Sequence, residues 1–246
     1  MSLNTKAIPK LQTDWYTFEQ NILSSQKFKR LSYKVHNSTP SITPDVYNDD
    51  RINFEVIISF FDVPNRVKQT KTRNIEIYLR SRITYKIISR TERKILNYNT
   101  AVQYCHKKDK NLQCIMGYHY DGDVQTKEAG HPIFHMQFKN NILLEVIREI
   151  EKDRYEKDNI KGVENSLERD EIRIPTAQMD LYNTLVSIFS DHLYTDKDST
   201  TLSQFKEFLE AIEQILIPCE TNQSFLYQNG PQTSTCYSNR WYPIEF

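Results

Sequence analysis

The strongest constraint on the fold is an alternation of apolar and polar residues between positions 75 and 90. One set of alternate positions is apolar: Ile75, Ile77, Leu79, Ile83, Tyr85 and Ile87. The other set is mostly basic: Glu76, Tyr78, Arg80, Arg82, Lys86 and Arg90. Successive side chains of a strand point to opposite faces of a sheet. The pattern therefore predicts one long strand, or two strands joined by a bend near Ser81, with a basic face toward solvent.

Other stretches with the same period lie on either side of this one. Residues 51–61 are apolar on one face and partly apolar on the other, which predicts a central strand. Shorter runs at 98–106, 112–121 and 131–139 alternate as well, and the polar stretch KKDKN at 107–111 reads as a turn. Together they predict an antiparallel meander.

Apolar residues at spacings of three and four predict helices outside the sheet region. The first helix is expected within residues 14–31, where Asp14 is the candidate cap. Helices are also expected over 142–150, with a further strand as the alternative, and over 178–193. The charged stretch 151–171 reads as a solvated helix extension or a mobile loop.

The last predicted helix begins at a capping box formed by Thr201 and Gln204 and ends before Pro218. With these helices the chain is expected to have an α+β fold: a single antiparallel meander sheet of about five strands, with an N-terminal helix and C-terminal helices packed on one face. We expect one domain over residues 1–246. Its parts are a sheet-rich region at 31–139, a helical region at 142–217 and an aromatic tail at 218–246.

The charge balance excludes one broad class of protein. The chain has 32 basic and 32 acidic residues, which is not expected of a protein whose whole surface attracts polyanions.

The start of the chain lacks the apolar core of a secretory signal, and no later run approaches the ~18 to 20 apolar residues of a membrane span. We therefore expect a soluble, cytoplasmic protein with no membrane partner, while the oligomeric state stays open.

The four cysteines form no CxxC pair. Cys105 and Cys114 are expected to face each other across the KKDKN turn, with His106 beside them. Their spacing matches no standard zinc motif, so reduced, buried core cysteines are predicted.

Three of the six histidines lie within a predicted hairpin at 117–138, close to two aspartates. On its second strand His131 and His135 share a face with Gln137, and on its first strand His119 shares a face with Asp121. Which residues meet across the hairpin depends on a register that the loop does not fix.

This cluster is the candidate catalytic site, with five residues in it: His119, Asp121, His131, His135 and Arg173. Two histidines four residues apart on a regular strand lie ~13 Å apart, too far to share one ion. A divalent metal would need a ligand from the facing strand, and a histidine could also act as a general base without a metal. The alternative is a set of half-buried histidines that hydrogen bond to tyrosines and the backbone.

The second candidate site is the basic segment between Pro64 and Lys94, which holds ten basic and two acidic residues, a net charge of +8. Its candidate partner-binding residues are Arg66, Lys68, Lys71, Arg73, Tyr78, Arg80, Arg82, Lys86 and Arg90. Such a surface could follow a phosphate backbone or bind an acidic protein. The alternative is a solvated face, or pairing with residues 145–171, which carry a net charge of −4.

The chain contains no GxGxxG, Walker, GxSxG or HExxH motif. Three segments, YHYDGD, GHPIFHMQF and RIPTAQMD, together resemble a bacterial family known as an uncharacterised domain of unknown function, over roughly residues 98–193. The resemblance implies a shared role for Asp121, His131, His135, Arg173 and Pro175. Proteins of this kind often resemble components of toxin or phage-defence loci.

Two functions follow from these features. The first is a non-enzymatic accessory or interaction protein whose basic sheet face binds nucleic acid or another acidic partner. The second is a hydrolase or nuclease-like enzyme that uses the histidine and aspartate cluster, with Arg173 neutralising a substrate anion.

Overall fold

The computed structural model describes residues 3–36, 40–63, 75–89, 92–123, 134–163, 174–176, 179–194 and 199–216. Within these residues the fold is α+β, and nine strands form one sheet. The strands are β1 Ser32–Val35, β2 Ser41–Pro44, β3 Arg51–Val63, β4 Ile75–Ile87, β5 Arg93–Lys108, β6 Asn111–Asp123, β7 Phe134–Phe138, β8 Ile160–Lys161 and β9 Ile174–Pro175. The helices are α1 Leu3–Phe18, α2 Leu144–Ile150, α3 Leu181–Leu193 and α4 Ser199–Leu216.

The centre of the sheet is the predicted antiparallel meander. The strand order is β1-β3-β4-β5-β6-β7-β9, with β2 also paired to β3 and β8 paired in parallel to β6. The prediction of about five strands was too low. The additional strands have only two to four residues each, too few for an alternating pattern to show in the sequence.

One side of the sheet, here called the core face, carries the main hydrophobic core. The alternating apolar residues of β3 and β4 pack there against α1, α3 and α4. The helix α1 contributes Trp15 and Phe18 and continues through a π-helical turn that buries Ile22 and Leu23. Buried apolar area of this kind contributes roughly 25 cal/mol per Å² to stability.

The opposite side, here called the second face, is the side to which Glu76, Tyr78, Arg80 and Arg82 point. A smaller cluster lies on it, in which Leu143 and Ile147 of the α2 region cover Tyr78 and Ala101. The expectation that all helices pack on one face is therefore wrong for α2. The segment 139–163 covers one half of the second face, because its apolar residues find a complementary apolar patch there.

Two predicted helix starts also need correction. The first helix begins at Leu3, so Asp14 lies inside it and forms a buried ion pair with Arg93, whose Nη1 lies 2.7 Å from the carboxylate. The last helix begins at Ser199, so Thr201 is a buried residue of its first turn instead of its cap. In both cases a side chain that could cap a helix makes a tertiary contact instead: Asp14 with Arg93, and Thr201 with Lys29.

The charged stretch after α2 is also more ordered than predicted. Residues 151–163 form turns, a short 3₁₀ segment at Lys157–Asn159 and the strand β8. They bury Tyr155 and Ile160 against the sheet. This order is explained by Arg154, which pairs with Glu151 and with Glu76 of the sheet. Among the described helices none has the length and apolar content that crossing a membrane requires.

Tyr98 positions the start of α3: its ring packs against Gly122, and its hydroxyl binds the backbone just before the helix. The Tyr98 ring lies against Gly122 on the neighbouring strand, where a Cβ atom would overlap it. The Tyr98 hydroxyl accepts a hydrogen bond of 2.8 Å from the backbone N–H of Met179. The Asp180 side chain then caps α3 by accepting from the Tyr182 and Asn183 N–H groups.

We therefore expect Gly122→Ala to destabilise the fold by about 1 to 3 kcal/mol, since the added methyl group displaces a buried ring. The measurement is the free energy of unfolding in urea. The control is Gly162→Ala, whose Cβ would meet the Asn141 amide at 2.8 Å. This variant should cost less, because the partly buried amide can rotate away at the expense of its hydrogen bonds to Val163, whereas the Tyr98 ring is buried. Equal costs for the two variants would contradict the proposed contact.

Candidate functional site

Described residues of the two candidate sites lie on one surface. Across the sheet, Glu55, Arg82, Asn99, Asp121 and His135 are consecutive register partners on five neighbouring strands, β3 to β7. Register partners in antiparallel strands point to the same side, so the side chains of Glu55, Arg82, Asn99 and Asp121 belong to the second face. Because the backbones of neighbouring strands lie about 4.8 Å apart, the Cα atoms of Arg82 and Asp121 are about 10 Å apart along the row.

The next row has the same order of strands. It runs through Ile57, Arg80, Ala101, His119 and Gln137. The polar residues Arg80, His119 and Gln137 of this row and the first row form a surface beside the half that segment 139–163 covers, whereas Ala101 lies under that segment. We call this surface the open half of the second face.

His119 and Asp121 form a contact pair on this surface. His119 Nε2 lies 2.8 Å from Asp121 Oδ2, and the two side chains are 13% and 29% exposed. Asn99 Nδ2 donates a hydrogen bond to the other carboxylate oxygen of Asp121. Within the described residues, the buried Nδ1 of His119 has no hydrogen-bond partner. A histidine oriented by a carboxylate is the arrangement found in general acid–base sites.

The register of the hairpin, which the sequence left open, brings part of the predicted cluster together. Asp121 pairs with His135, and His119 pairs with Gln137. His135 in turn pairs with Pro175 of β9. The backbones of Asp121, His135 and Pro175 therefore lie side by side on three adjacent strands. The side chain of His135 and all of His131 and Arg173 lie outside the described residues.

Among the described residues, the basic side chains of β4 pair with carboxylates of β3 and of Asp50 just before it, and not with residues 145–163. Glu55 Oε1 accepts from Arg80 Nε at 2.6 Å and from Arg82 Nε at 3.0 Å. Lys86 Nζ lies 3.5 Å from Asp50. The side chain of Arg82 is 58% exposed and that of Arg80 is 26% exposed.

Tyr78 does not belong to this surface. We predicted it on the exposed basic face, but its side chain is fully buried, and its hydroxyl donates to Glu76 Oε2 at 2.6 Å. The reason is that α2 covers this end of β4. The remaining predicted partner-binding residues, Arg66, Lys68, Lys71, Arg73 and Arg90, lie outside the described residues.

The sequence did not reveal a partly buried polar network between the covering segment and the sheet, in which Arg154 is 32% exposed and its two carboxylate partners are buried. Arg154 donates to Glu76 Oε1 at 2.7 Å and to Glu151 Oε2 at 2.9 Å, and its guanidinium lies 4.4 Å from the centre of the Phe61 ring. The Tyr155 hydroxyl donates to Glu76 Oε1 at 3.3 Å. Two signals were present in the sequence: Glu76 is the acid in an otherwise basic row, and Tyr155 is an aromatic residue within a charged run.

His36 extends this network at the end of β1. Its Nε2 lies 2.8 Å from Ser59 Oγ and 3.6 Å from Glu151 Oε1. Both contacts use the same ring nitrogen, whereas a serine–histidine–carboxylate relay needs both nitrogens. The three side chains are also buried, so this group is structural.

The network shifts the pKa values of its members. Burial lowers the pKa of His36 to about 4, and the positive charges of Lys34 and Arg154 act in the same direction. Burial raises the pKa of Glu151, and Arg154 opposes this effect. His36 is therefore neutral at pH 7.

Among the described residues, no three histidine, cysteine, aspartate or glutamate side chains are grouped closely enough to hold a metal ion. Asp121 and His119 could supply two ligands of a site that the described residues do not complete.

Comparison with known proteins gives no match: no family model, no curated protein and no solved structure is similar to this chain.

The lowered pKa of His36 predicts a pH dependence of stability. The unfolded chain binds a proton at His36 near pH 6.5, and the folded chain only near pH 4. The unfolding free energy should therefore fall as pH drops through this window, by on the order of 3 kcal/mol from this group. The raised pKa of Glu151 works in the opposite direction. Urea unfolding at a series of pH values measures the slope.

The variant His36→Gln keeps a donor for Ser59 and should flatten the slope between pH 6.5 and 4. His106→Gln, which removes a histidine outside the network, is the matched control and should keep the wild-type slope. If the unfolding free energy of the His36 variant falls with pH as steeply as that of the wild type, His36 is not the source of the slope.

Proposed function

We propose that this protein is a non-enzymatic accessory protein that binds nucleic acid through the open half of the second face. The observation that carries the proposal is that two arginines share a single carboxylate on this surface, next to a row of polar side chains. An acidic protein partner is the competing outcome, and the experiment below separates the two.

The charge of the surface supports the proposal. Arg80 and Arg82 face one acceptor, Glu55, so the group retains one positive charge. Both arginines contact Glu55 through Nε, while each guanidinium has five N–H donors. The terminal amino groups can therefore bind a phosphate oxygen while the contact with Glu55 persists.

The uncharged neighbours of the arginines add to this support. Four uncharged polar residues of β3 to β5 lie on the second face beside the arginines: Asn53, Thr84, Asn97 and Asn99. Amide and hydroxyl side chains are common partners of phosphate and sugar oxygens in nucleic-acid complexes. Exposed pairs such as Arg82 with Glu55 contribute little to stability, so a partner can rearrange them at small cost.

The test is the triple variant Arg80→Ala, Arg82→Ala, Lys86→Ala with a single-stranded oligonucleotide. We expect weaker binding, and the slope of log K against log salt should fall by roughly two to three, because each lost phosphate contact removes about 0.7 to 0.9. Fluorescence anisotropy over a range of salt concentrations measures both quantities.

The matched control is Lys27→Ala, Lys157→Ala, Lys206→Ala, which removes the same charge from exposed positions elsewhere. It should leave affinity and salt slope close to wild type. If both triple variants lose the same affinity, the effect depends only on net charge, and this result would contradict the proposed surface. Binding of an acidic peptide, such as polyglutamate, with greater affinity than the oligonucleotide would favour a protein partner.

A second candidate function, a hydrolase or nuclease-like enzyme, is supported by the contact of 2.8 Å between His119 and Asp121. In such an enzyme His119 acts as the general base through Nδ1, which is buried and has to become accessible to the substrate, while Asp121 orients the ring and Asn99 orients Asp121. Arg82, two strands away, is placed to neutralise a bound anion.

This alternative predicts measurable phosphodiester hydrolysis that His119→Gln reduces by about 10²- to 10⁴-fold. Asp121→Asn should reduce it as well, because the ring loses the carboxylate charge that stabilises its protonated form. Hydrolysis of a chromogenic phosphodiester is followed with and without added Mg²⁺ or Mn²⁺. His106→Gln is the control. Hydrolysis that survives His119→Gln would exclude the site.

A further inference from the structure

Cys105 and Cys114 face each other on the second face, beneath segment 139–163. They are register partners in β5 and β6, and their sulfur atoms are 3.6 Å apart. Both are free thiols and both are buried. Directly opposed residues of antiparallel strands have Cα atoms about 4.5 to 5.5 Å apart. This separation lies within the range that a disulfide spans.

A β-bulge creates this alignment. The register shifts between Tyr104, which pairs with Met116, and Cys105, which pairs with Cys114, so Ile115 is the extra residue of β6. Without the bulge, Cys114 would point to the opposite side of the sheet from Cys105. The two sulfur atoms need to approach by about 1.5 Å to reach bonding distance, a movement that side-chain rotation supplies.

The two thiols are not equivalent. The Cys105 thiol donates a hydrogen bond to Cys114 Sγ. This bond lowers the pKa of Cys114, as does the positive charge of Arg148, while burial raises the pKa of Cys105. Cys114 is therefore the thiol with more thiolate character, and Cys105 is placed to react with it in a second step.

We propose that Cys105 and Cys114 form a reversible redox site that closes to a disulfide when it reacts with hydrogen peroxide. The site is independent of the proposed nucleic-acid surface, since it lies under the covered half of the same face.

The chemistry runs in two steps. The Cys114 thiolate attacks one oxygen of hydrogen peroxide, the O–O bond breaks, and hydroxide leaves to give a sulfenic acid on Cys114. The Cys105 sulfur then attacks the Cys114 sulfur and expels hydroxide, while its proton goes to solvent. Two thiols lose two electrons in total, and the peroxide is reduced to two molecules of water.

Access to the pair depends on the covering segment. Arg148 of α2 donates to the Ile160 carbonyl from Nε at 3.3 Å and from Nη2 at 3.1 Å. Gln113, next to Cys114, donates to the Gly162 carbonyl at 2.6 Å. These contacts hold the cover over the thiols, so oxidation should be limited by how often the cover opens.

The test uses the variant Cys219→Ser, Cys236→Ser, in which the pair supplies the remaining cysteines. The folded protein is treated with hydrogen peroxide, unfolded, alkylated and digested for mass spectrometry. We expect two peptides joined through Cys105 and Cys114, with a mass two hydrogen atoms below the sum of the separate peptides. Neither cysteine should be alkylated. Dithiothreitol should restore both thiols. In wild type the same joined peptide should appear, which guards against a fold defect in the variant.

Two further measurements complete the test. In a Cys105→Ser version of this variant, Cys114 should be trapped as a sulfenic acid by dimedone. Gln113→Ala, which removes one contact of the cover, should raise the oxidation rate several-fold. Intact thiols after peroxide treatment of the folded protein would overturn the proposal. So would oxidation that occurs only in urea, or sulfinic acid at Cys114 without a disulfide.

Discussion

The guanidinium of Arg154 lies between two buried carboxylates, Glu76 on the sheet and Glu151 after α2. These contacts hold segment 139–163 against one half of the second face, and the boundary of that segment decides which polar residues of β4 to β6 stay accessible. A carboxylate left without its partner in such a place costs several kcal/mol. The ion pairs are therefore a condition for the covered half, and indirectly for the shape of the open half.

The open half is assembled by strand register. The residues that form it come from positions 53 to 137 and are far apart in sequence. Long antiparallel strands bring them into two parallel rows, with the arginines at one end and the His119–Asp121 pair at the other. Asn99 lies between them in the row and contacts Asp121. A sheet surface of this kind presents a fixed spacing of polar groups without requiring a deep cavity.

The long strands could be predicted from the sequence, because period-two alternation over ten or more residues is typical of a strand with one buried face. The burial of Tyr78 could not, since alternation assigns a side chain to a face without showing whether another segment covers that face. The Asp121 to His135 register was equally out of reach, because the connecting loop does not determine it. Glu76 and Arg154 are 78 residues apart, and no local pattern relates them.

The His119–Asp121 pair and the arginines Arg80 and Arg82 appeared as separate features in the sequence and belong to one surface in the fold. The most direct test of this account is NMR mapping with a single-stranded oligonucleotide, in which the side-chain N–H signals of arginine and asparagine are followed. If the open half binds the oligonucleotide, the signals of Arg80, Arg82 and Asn99 shift together with those of the His119 ring, while those of Arg154 stay unchanged. Shifts confined to α3 and α4, with the second face unaffected, would contradict it.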